Sequence, residues 1–254
     1  PDTEVFYDFG TPHNKDFGEE CHPNCDCGRF MEIGNSVFME YIKRPDGSFD
    51  KLYQRNIDFG GGLERLASAS IGGADIFKID IFLDIISKLE EFSGKNYDGS
   101  NVRSFRIVAD HLRAVVFLIA DGVVPSNTDQ GYFARRLIRR AVRHMDILEV
   151  DENSLSLLVP IVREYYKDQY PELSKGDSIE KVIVEEEQKF RKTLEKGLKE
   201  FKKLSHSDIS GKDAFLLFST YGFPYELTEE LAGEKNTTIY RSEFDEEMKK
   251  HQAQ

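Results

Sequence analysis

The chain has 254 residues, 46 of them acidic and 34 basic, and its formal net charge of −12 argues against a protein that coats nucleic acid by bulk electrostatics. A chain of this length holds one large or two modest domains. Its longest apolar run, at 114–120, is too short to span a membrane, and its acidic N-terminus is unlike a signal peptide. We therefore expect a cytoplasmic protein, with neither a membrane nor DNA as a partner.

The N-terminal part is rich in glycine, aromatic residues and alternating segments, which indicate β-structure. A strand is predicted at 4–8, and the chain opens just before it without an initiator Met, which indicates a piece of a longer protein. Alternating segments on either side of Pro45-Asp46-Gly47 predict a β-hairpin, whose second strand covers 50–58.

The stretch NIDFGGGLERLASAS follows at the end of this hairpin. Gly60, Gly61 and Gly62 remove every Cβ from the predicted turn, so a flat ligand can lie against bare backbone. A helix is predicted over 63–71, and Arg65 adds a cation near its N-terminus, where the amides favour negative charge. This combination suits a nucleotide, with its base or ribose over the glycines and a phosphate near the arginine. An ordinary glycine-rich turn between a strand and a helix is the alternative.

All three cysteines lie in the segment CHPNCDC, at Cys21, Cys25 and Cys27. An odd number of cysteines in a chain expected in the cytoplasm is poor evidence for disulfide bonds. Their clustering instead predicts thiolate ligation of a structural zinc ion, with His22 or His13 as a fourth donor. The spacing differs from that of the standard zinc fingers, and three reduced surface thiols are the alternative.

Apolar residues follow a helical period from about residue 75. We predict a domain boundary near residue 95, where the chain changes from sheet to helices. Helices are predicted over 76–92, 102–122, from Asn127 or Thr128 to about 148, and over 152–168, 178–204, 212–220, 226–235 and 241–252. The acidic run IEKVIVEEEQKF, at 179–190, is predicted to be a solvated helix face.

The predicted helix over 128–148 contains five arginines and a histidine within ten residues that include no acid. Spacings of three, four and seven residues place four side chains on one face, here called the basic stripe: Tyr132, Arg136, Arg139 and Arg143. Guanidinium groups suit the phosphates of a nucleic acid, and the tyrosine can stack or hydrogen bond. Alternatively, some arginines pair with the acidic helices downstream, as we predict for Arg135 and Arg140.

The stretch NIDFGGGLERLA resembles motif 3 of class II aminoacyl-tRNA synthetases, in the form found in the alanyl-tRNA synthetase family. Further segments resemble that family in the same order along the chain: TEVFYD, EIGNSVFMEY, RIVADHLRAVVFLIADGVVPSN, GYFARRLIRRAVRH, EEEQKFRKTLEKGL and STYGFPYELT. The resemblance implies an α+β fold. Residues 1–95 would be the C-terminal part of an antiparallel-sheet catalytic domain, and residues 96–254 an all-α tRNA-recognition domain.

This resemblance implies that the ATP site is lined by the backbone of Gly60, Gly61 and Gly62 and that Arg65 contacts the triphosphate. The implied chemistry joins alanine and ATP into alanyl-adenylate and then transfers alanine to the 3′ end of tRNA. ATP would be bound with Mg²⁺. Positioning and charge stabilisation dominate such a reaction, and no general base is assigned.

The resemblance also implies an alanine pocket. Asp58 matches the acid that holds the ammonium group of alanine, and Gly60 matches the glycine beside it. Asn35 and Val37 match the strand that walls the side-chain pocket. Such a wall excludes larger side chains, but it rejects glycine and serine poorly.

For tRNA(Ala), Asn127 matches the asparagine that reads the G·U wobble pair of the acceptor stem. Arg136, Arg139 and Arg143 fall in the basic helix of the family. Ser219 stands where the family has an aspartate, so this side chain can still hydrogen bond but lacks the charge. We therefore expect altered discrimination of the wobble pair.

Two further departures from the family concern the expected activity and the cysteine segment. Neither motif 1 nor motif 2 is found, and motif 2 supplies the arginine that grips the α-phosphate of ATP. We therefore expect a ligase by ancestry that is inactive as these 254 residues alone. A paralogue or split product that binds tRNA without activating alanine is the alternative. The segment CHPNCDCGRF has no counterpart in the usual family pattern, so its metal is inferred from chemistry alone.

Overall fold

The computed structural model describes residues 1–174, 178–204 and 208–252. The chain divides into two compact units, Pro1–Leu83 and Asp84–Gln254. Parts of the predicted domain 96–254, namely 175–177, 205–207 and 253–254, lie outside the described residues. The division of the chain at residue 95 stays a prediction.

The first unit contains an antiparallel sheet with the strand order β1–β2–β3, in which β1 is Asp2–Asp8, β2 is Phe30–Lys43 and β3 is Phe49–Gly61. In the turn between β2 and β3, Asp46 Oδ1 accepts hydrogen bonds from Ser48 N at 2.9 Å and Ser48 Oγ at 2.7 Å. Gly47 has φ +88°, a left-handed conformation that glycine adopts without steric cost. The predicted hairpin is therefore confirmed.

Residues 9–29 form a long loop between β1 and β2, and an ion pair closes its base. Arg29 donates to both carboxylate oxygens of Asp8, at 2.8 Å and 2.7 Å, and Phe9 N donates to Arg29 O at 3.0 Å. These side-chain hydrogen bonds from Arg29, with one from the Gly10 amide, lower the pKa of Asp8 to about 2. The loop is thus anchored at both ends on adjacent strands.

After β3 the chain forms α1, Leu63–Ser70, and then α2, Asp80–Ser93. The helix predicted from residue 76 begins later because Ile76–Lys78 forms a separate 3₁₀ turn, started by Asp75 Oδ1 accepting from Phe77 N at 3.0 Å. Ile79 then has an extended backbone, with ψ 162°, which separates the turn from α2.

In its described residues the second unit consists mainly of helices, with an isolated β-bridge between Ile209 and Ile239. Its remaining helices are α3 Val102–Ala120, α4 Asp129–Ile147, α5 Val159–Tyr166, α6 Ser178–Leu204, α7 Gly211–Tyr221, α8 Tyr225–Glu234 and α9 Arg241–Gln252. The predicted helix over 152–168 is divided, because Ser154–Leu158 forms a 3₁₀ turn before α5. The α+β class is confirmed, with the sheet in the first unit and these helices in the second.

The core of the second unit lies between α3, α4 and α6, which pack against one another, and α6 also packs against α7. Apolar side chains at most 1% exposed fill it: Phe105, Val108, Leu112, Val116, Ala134, Ile138, Val142, Ile183 and Phe190. Burying a Val, Leu, Ile or Phe side chain contributes about 1.5–3 kcal/mol, so this core holds α4 rigidly against its neighbours. Across the described ranges, every helix is too short or too polar to cross a bilayer.

Candidate functional sites

The four residues predicted for the alanine pocket meet on one face of the hairpin. In the register of β2 and β3, Asn35 pairs with Gly60 and Val37 pairs with Asp58. Directly opposite residues, and residues two apart along a strand, share a face of the sheet. A Cβ on residue 60 would lie 3.1 Å from Asn35 Oδ1, so the asparagine side chain lies over the glycine. The face therefore presents an amide, a carboxylate and a branched apolar side chain together.

The glycine-rich segment differs from the predicted turn. Gly60 and Gly61 are the last residues of β3, and Gly62 is the N-cap of α1. None of Gly60, Gly61 and Gly62 has a positive φ, so backbone conformation does not require glycine at these positions. A Cβ on Gly61 would lie 3.1 Å from the Phe59 ring, and one on Gly62 would lie 3.0 Å from Arg65 Cδ. The expectation of a three-glycine turn is therefore wrong, although the backbone is bare as predicted.

Arg65 lies in the first turn of α1, beside β2. Its Nη1 atom donates to Glu32 O at 3.0 Å and to Glu32 Oε2 at 3.3 Å, and its side chain is 50% exposed. Gly62 N donates to Ile33 O at 3.2 Å, which pins the start of the helix to the same strand. The exposed remainder of the guanidinium can accept a further anionic partner near the helix N-terminus.

The loop between β1 and β2 brings His13 together with Cys21, Cys25 and Cys27, and the four candidate ligand atoms all lie within 4.8 Å of one another. The sulfur atoms of Cys21 and Cys27 are 3.7 Å apart, and Cys25 Sγ is 3.8 Å from His13 Nδ1. Zinc–sulfur bonds of about 2.3 Å in a tetrahedron require sulfur atoms roughly 3.8 Å apart. The distance between Cys21 and Cys27 therefore fits tetrahedral zinc coordination.

His22, one of the two histidines predicted to complete this cluster, is exposed and lies outside the group of four. His22 is next to Cys21 in the sequence, but its backbone starts a tight turn, in which Cys25 N donates to His22 O at 2.9 Å. This turn keeps His22 out of the group of four. His13 and not His22 therefore lies with the three cysteines as the candidate fourth ligand.

The electrostatics of the cluster favour a thiolate. A hydrogen bond with His13 lowers the pKa of Cys27 to about 6, and the same contact with Cys27 raises the pKa of His13. Desolvation raises the pKa of the Cys21 thiol. A thiolate is the form of cysteine that binds a metal.

The arginines of α4 are paired more extensively than the sequence predicts. The predicted pairing of Arg135 and Arg140 with acidic helices downstream is confirmed, by Glu186 at 3.3 Å and Glu230 at 3.1 Å. Two members of the basic stripe are paired as well: Arg136 with Glu226 at 2.7 Å, and Arg139 with Glu186 at 2.5 Å.

Arg139 is only 8% exposed, so it does not lie on an open surface stripe. Its guanidinium carbon lies 5.1 Å from the centre of the Phe190 ring, and desolvation lowers the pKa of Arg139. Arg143 is half-buried, and its Nε atom has no hydrogen-bond partner in the described part of the chain. Tyr132 is also half-buried and contacts the Phe218 ring, with centroids 6.0 Å apart.

A pocket of about 400 Å³ lies between the start of α4 and the end of α7. It unites three predicted RNA contacts from distant parts of the sequence, Asn127, Tyr132 and Ser219, and is also lined by Arg135 and Arg139. Asn127 and Ser219 are exposed, whereas the arginines lie deeper. This arrangement offers an amide and a hydroxyl at the mouth and positive charge behind them.

The loop before α4 reaches this pocket because Gly131 has no side chain. A Cβ there would collide with Ser126 Oγ and with the backbone of Val124, and Ser126 N donates to Gly131 O at 3.0 Å. The N-cap of α4 is Thr128, and Asn127 is not a cap. Instead, Asn127 Oδ1 accepts a hydrogen bond from Arg135 Nη1.

Sequence reasoning missed Glu186 and Glu187, which were expected on a solvated face and are each 1% exposed. That expectation is wrong for these two residues, whereas Glu185 is exposed as predicted. The two buried glutamates of this run face arginines of α4 and of α6 itself. The signal was present in the sequence, since five arginines in one helix need acids nearby.

The sequence model of the family described as tRNA synthetases class II (A) matches residues 1–254 of the chain. The chain belongs to this family. Among its relatives are proteins named alanine–tRNA ligase from Lactiplantibacillus plantarum, 42% identical over 262 residues, from Pediococcus pentosaceus, 44% identical over 263, and from Thermotoga petrophila, 43% identical over 257.

These alignments cover 98%, 98% and 99% of this chain, respectively, but 30% of each relative. The chain thus spans 30% of the length of these curated relatives. As a member of the class II family it carries the segment predicted to be motif 3 at the junction of β3 and α1.

Proposed function

We propose that this chain is the part of an alanine–tRNA ligase that forms one side of the alanine and ATP site and recognises the acceptor stem of tRNA(Ala). The observation that carries the proposal is the register of the hairpin, which puts Asn35 opposite Gly60 and Val37 opposite Asp58. Similarity to alanine–tRNA ligases over 98% of the chain supports the same substrates.

In this proposal the Asp58 carboxylate pairs with the ammonium group of alanine. Val37 contacts the methyl group, while Asn35 over Gly60 closes the space beyond it. A carboxylate for the ammonium and a short apolar wall are the chemical requirements of a small amino acid. The pocket excludes larger side chains sterically, but it discriminates poorly against amino acids that differ from alanine by one methyl or hydroxyl group.

ATP lies along the bare backbone of Gly60, Gly61 and Gly62, with the triphosphate at Arg65. Magnesium bound with ATP supplies positive charge to the phosphates. A carboxylate oxygen of alanine attacks the α-phosphorus, the bond to pyrophosphate breaks, and the terminal ribose hydroxyl of tRNA then displaces AMP. Arg65 at the helix N-terminus compensates negative charge on the phosphates, which is the kind of stabilisation this chemistry needs.

The pocket between α4 and α7 reads the acceptor stem. Asn127 and Ser219 contact the base pair, and Tyr132 stacks or hydrogen bonds beside them. Arg136 and Arg143, both partly exposed, contact phosphates. Arg139 also belongs to the basic stripe, but its burial against Glu186 supports a role behind the pocket instead of a phosphate contact.

One zinc ion binds to Cys21, Cys25, Cys27 and His13 and ties the long loop between β1 and β2 together. Distances of 3.7 Å between the sulfur atoms of Cys21 and Cys27 and 3.8 Å from Cys25 Sγ to His13 Nδ1 support this assignment. A reducing cytoplasm, which we propose as the location, keeps such thiols free for a metal. The role of the ion is structural because its four positions are filled by protein ligands.

The competing function is binding of tRNA without activation of alanine. It is favoured by the pocket between α4 and α7, whose lining residues all belong to the second unit and include none of the proposed alanine and ATP residues.

Alanine-dependent pyrophosphate exchange tests the proposal, measured on this chain and on the longest natural polypeptide that contains it. The chain alone is expected at background. In the longer polypeptide, Asp58→Asn is expected to raise KM for alanine and Arg65→Ala to raise KM for ATP. Normal kinetics in both variants would refute the site, and a longer polypeptide that binds tRNA without exchange would favour the competing function.

A further inference from the structure

A buried carboxylate lies behind the pocket described above. Glu186 of α6 is 1% exposed, and its Oε1 atom accepts hydrogen bonds from Arg139 Nε at 2.8 Å and Nη2 at 2.5 Å. The same oxygen lies 3.3 Å from Arg135 Nε, an ion pair without a hydrogen bond, since this Nε has no hydrogen-bond partner among the described residues. The two arginines are four residues apart, so both project from one face of α4 toward α6.

Each arginine extends from this carboxylate to a different wall of the pocket. Arg135 Nη1 donates to Asn127 Oδ1, and its Nη2 atom donates to Pro125 O at 3.3 Å, in the loop before α4. Arg139 Nη1 donates to Gly222 O, at the end of α7. Gly222 has φ +68° and ends the helix three residues after Ser219. One carboxylate therefore anchors both the wall with Asn127 and the wall with Ser219.

The contact with Arg135 also decides which way the Asn127 amide faces. A guanidinium group only donates hydrogen bonds, so the amide must turn its oxygen toward Arg135. Its NH₂ group is then left for a ligand at the mouth of the pocket. An outward NH₂ selects hydrogen-bond acceptors on a base edge, whereas an outward oxygen would select donors.

We propose that Glu186 is a positioning residue for base discrimination, which sets the orientation of the Asn127 amide and its spacing from Ser219 through Arg135 and Arg139. This inference rests on the proposed recognition of RNA by the pocket. Glu186 touches no RNA itself. Its loss is expected to lower discrimination between base pairs more than it lowers overall affinity for RNA.

The chain offers a matched control in the next residue. Glu187 is also 1% exposed, but it accepts from Arg191 Nε at 2.8 Å and from Asn153 N at 3.0 Å, away from the pocket. Replacing either glutamate with glutamine keeps its shape and removes its charge. Glu186 Oε2 has no hydrogen-bond partner within the described residues, so an amide nitrogen in its place breaks no hydrogen bond there.

The experiment measures binding of the purified chain to two RNA hairpins by fluorescence anisotropy. The hairpins differ at one acceptor-stem pair, G·U in one and G·C in the other. The variants are Glu186→Gln, Glu187→Gln, Asn127→Ala and Arg135→Gln, and circular dichroism and urea unfolding compare their folding. Arg135→Gln interrupts the same connection while leaving the pair between Arg139 and Glu186 intact, in case Glu186→Gln fails to fold.

Wild type is expected to prefer the G·U hairpin by roughly ten- to a hundredfold, the range of one good base contact. Glu186→Gln and Arg135→Gln are expected to reduce that ratio to within about threefold of Asn127→Ala, whereas Glu187→Gln keeps the wild-type ratio. In the double variant with Asn127→Ala, Glu186→Gln should lower the ratio by much less than it does alone, because most of its effect passes through the Asn127 amide.

Two results would overturn the inference while leaving the proposed function intact. In the first, Asn127→Ala loses discrimination but Glu186→Gln and Arg135→Gln retain it. In the second, Glu187→Gln loses discrimination as fully as Glu186→Gln, which would indicate general loosening of the fold. If Asn127→Ala itself left the ratio unchanged, the proposed RNA pocket would fail together with the inference.

Discussion

Asn35 lies directly across the β2–β3 pair from Gly60, and its Oδ1 atom is 3.1 Å from the position a Cβ on residue 60 would take. This spacing is tighter than an ordinary carbon–oxygen contact, so the glycine and the asparagine depend on each other. Asp58 and Val37 form the neighbouring pair on the same face.

Gly60→Ala is therefore expected to push the Asn35 side chain into the proposed alanine pocket. KM for alanine should rise about tenfold, the size of one lost polar contact, and KM for ATP should rise as well, because Gly60 also lines the proposed ATP site. Pyrophosphate exchange by the longest natural polypeptide containing this chain measures both constants. Gly73→Ala is the control, since a Cβ there meets its nearest atoms at an ordinary 3.6 Å. Equal effects of the two substitutions would contradict the role of the Asn35 contact.

The partly exposed arginines of α4 are expected to contact phosphates without reading sequence. Arg136→Ala and Arg143→Ala should each weaken G·U and G·C hairpins alike and reduce the slope of log K against log salt by about one unit per lost contact. Titrations at several salt concentrations measure the slope. Arg163→Ala is the control, because Arg163 pairs with Glu180 at 2.8 Å and lies in α5 and not in the basic helix α4. A change in base preference with an unchanged slope would reverse the assignment.

Ser219→Asp is expected to increase the preference for the G·U hairpin by about fivefold, because a carboxylate accepts a stronger hydrogen bond from a base than a hydroxyl does. Asn127→Ala should narrow the same preference by about 1–3 kcal/mol. Thr220→Asp is the charge-matched control, since Thr220 is exposed but does not line the pocket. If Thr220→Asp increased the preference equally, added charge alone would explain the effect.

Protein purified without an affinity tag under reducing conditions is expected to contain about one zinc ion per chain, held by four ligands. His13→Ala should lower the zinc content strongly, whereas His22→Ala should leave it unchanged, because of these two histidines it is His13 that lies among the three thiols. Metal analysis by mass spectrometry gives the stoichiometry. A zinc content near zero in the wild type would indicate that Cys21, Cys25 and Cys27 are ordinary thiols.

Gly197→Ala is expected to destabilise the second unit, although alanine normally stabilises a helix by about 0.8–1.0 kcal/mol over glycine. A Cβ on Gly197 in α6 would collide with the buried ring of Phe223, and overpacking costs about 1–3 kcal/mol. Gly233→Ala in α8 is the control, with open space around the added Cβ. Urea unfolding should therefore give free-energy changes of opposite sign for the two variants.

Local features of the sequence determined the elements of this fold. The hairpin follows from Pro45-Asp46-Gly47 between alternating segments, and α4 follows from an apolar period of three and four residues. These signals depend on neighbours in the chain, so they can be read without the tertiary structure. The candidate positions on the hairpin, Asn35 and Asp58, could likewise be named from the resemblance of their segments to one family.

Only the tertiary structure decided which of the candidate groups meet. His13 and not His22 lies with the thiols, because the fold of the loop brings a residue eight positions before Cys21 closer than its sequence neighbour. Arg139 is buried because Glu186, 47 residues away, lies opposite it on α6. Helical spacing defines the face of a side chain but not what packs on that face. Burial and pairing are settled by long-range contacts, which no local pattern contains.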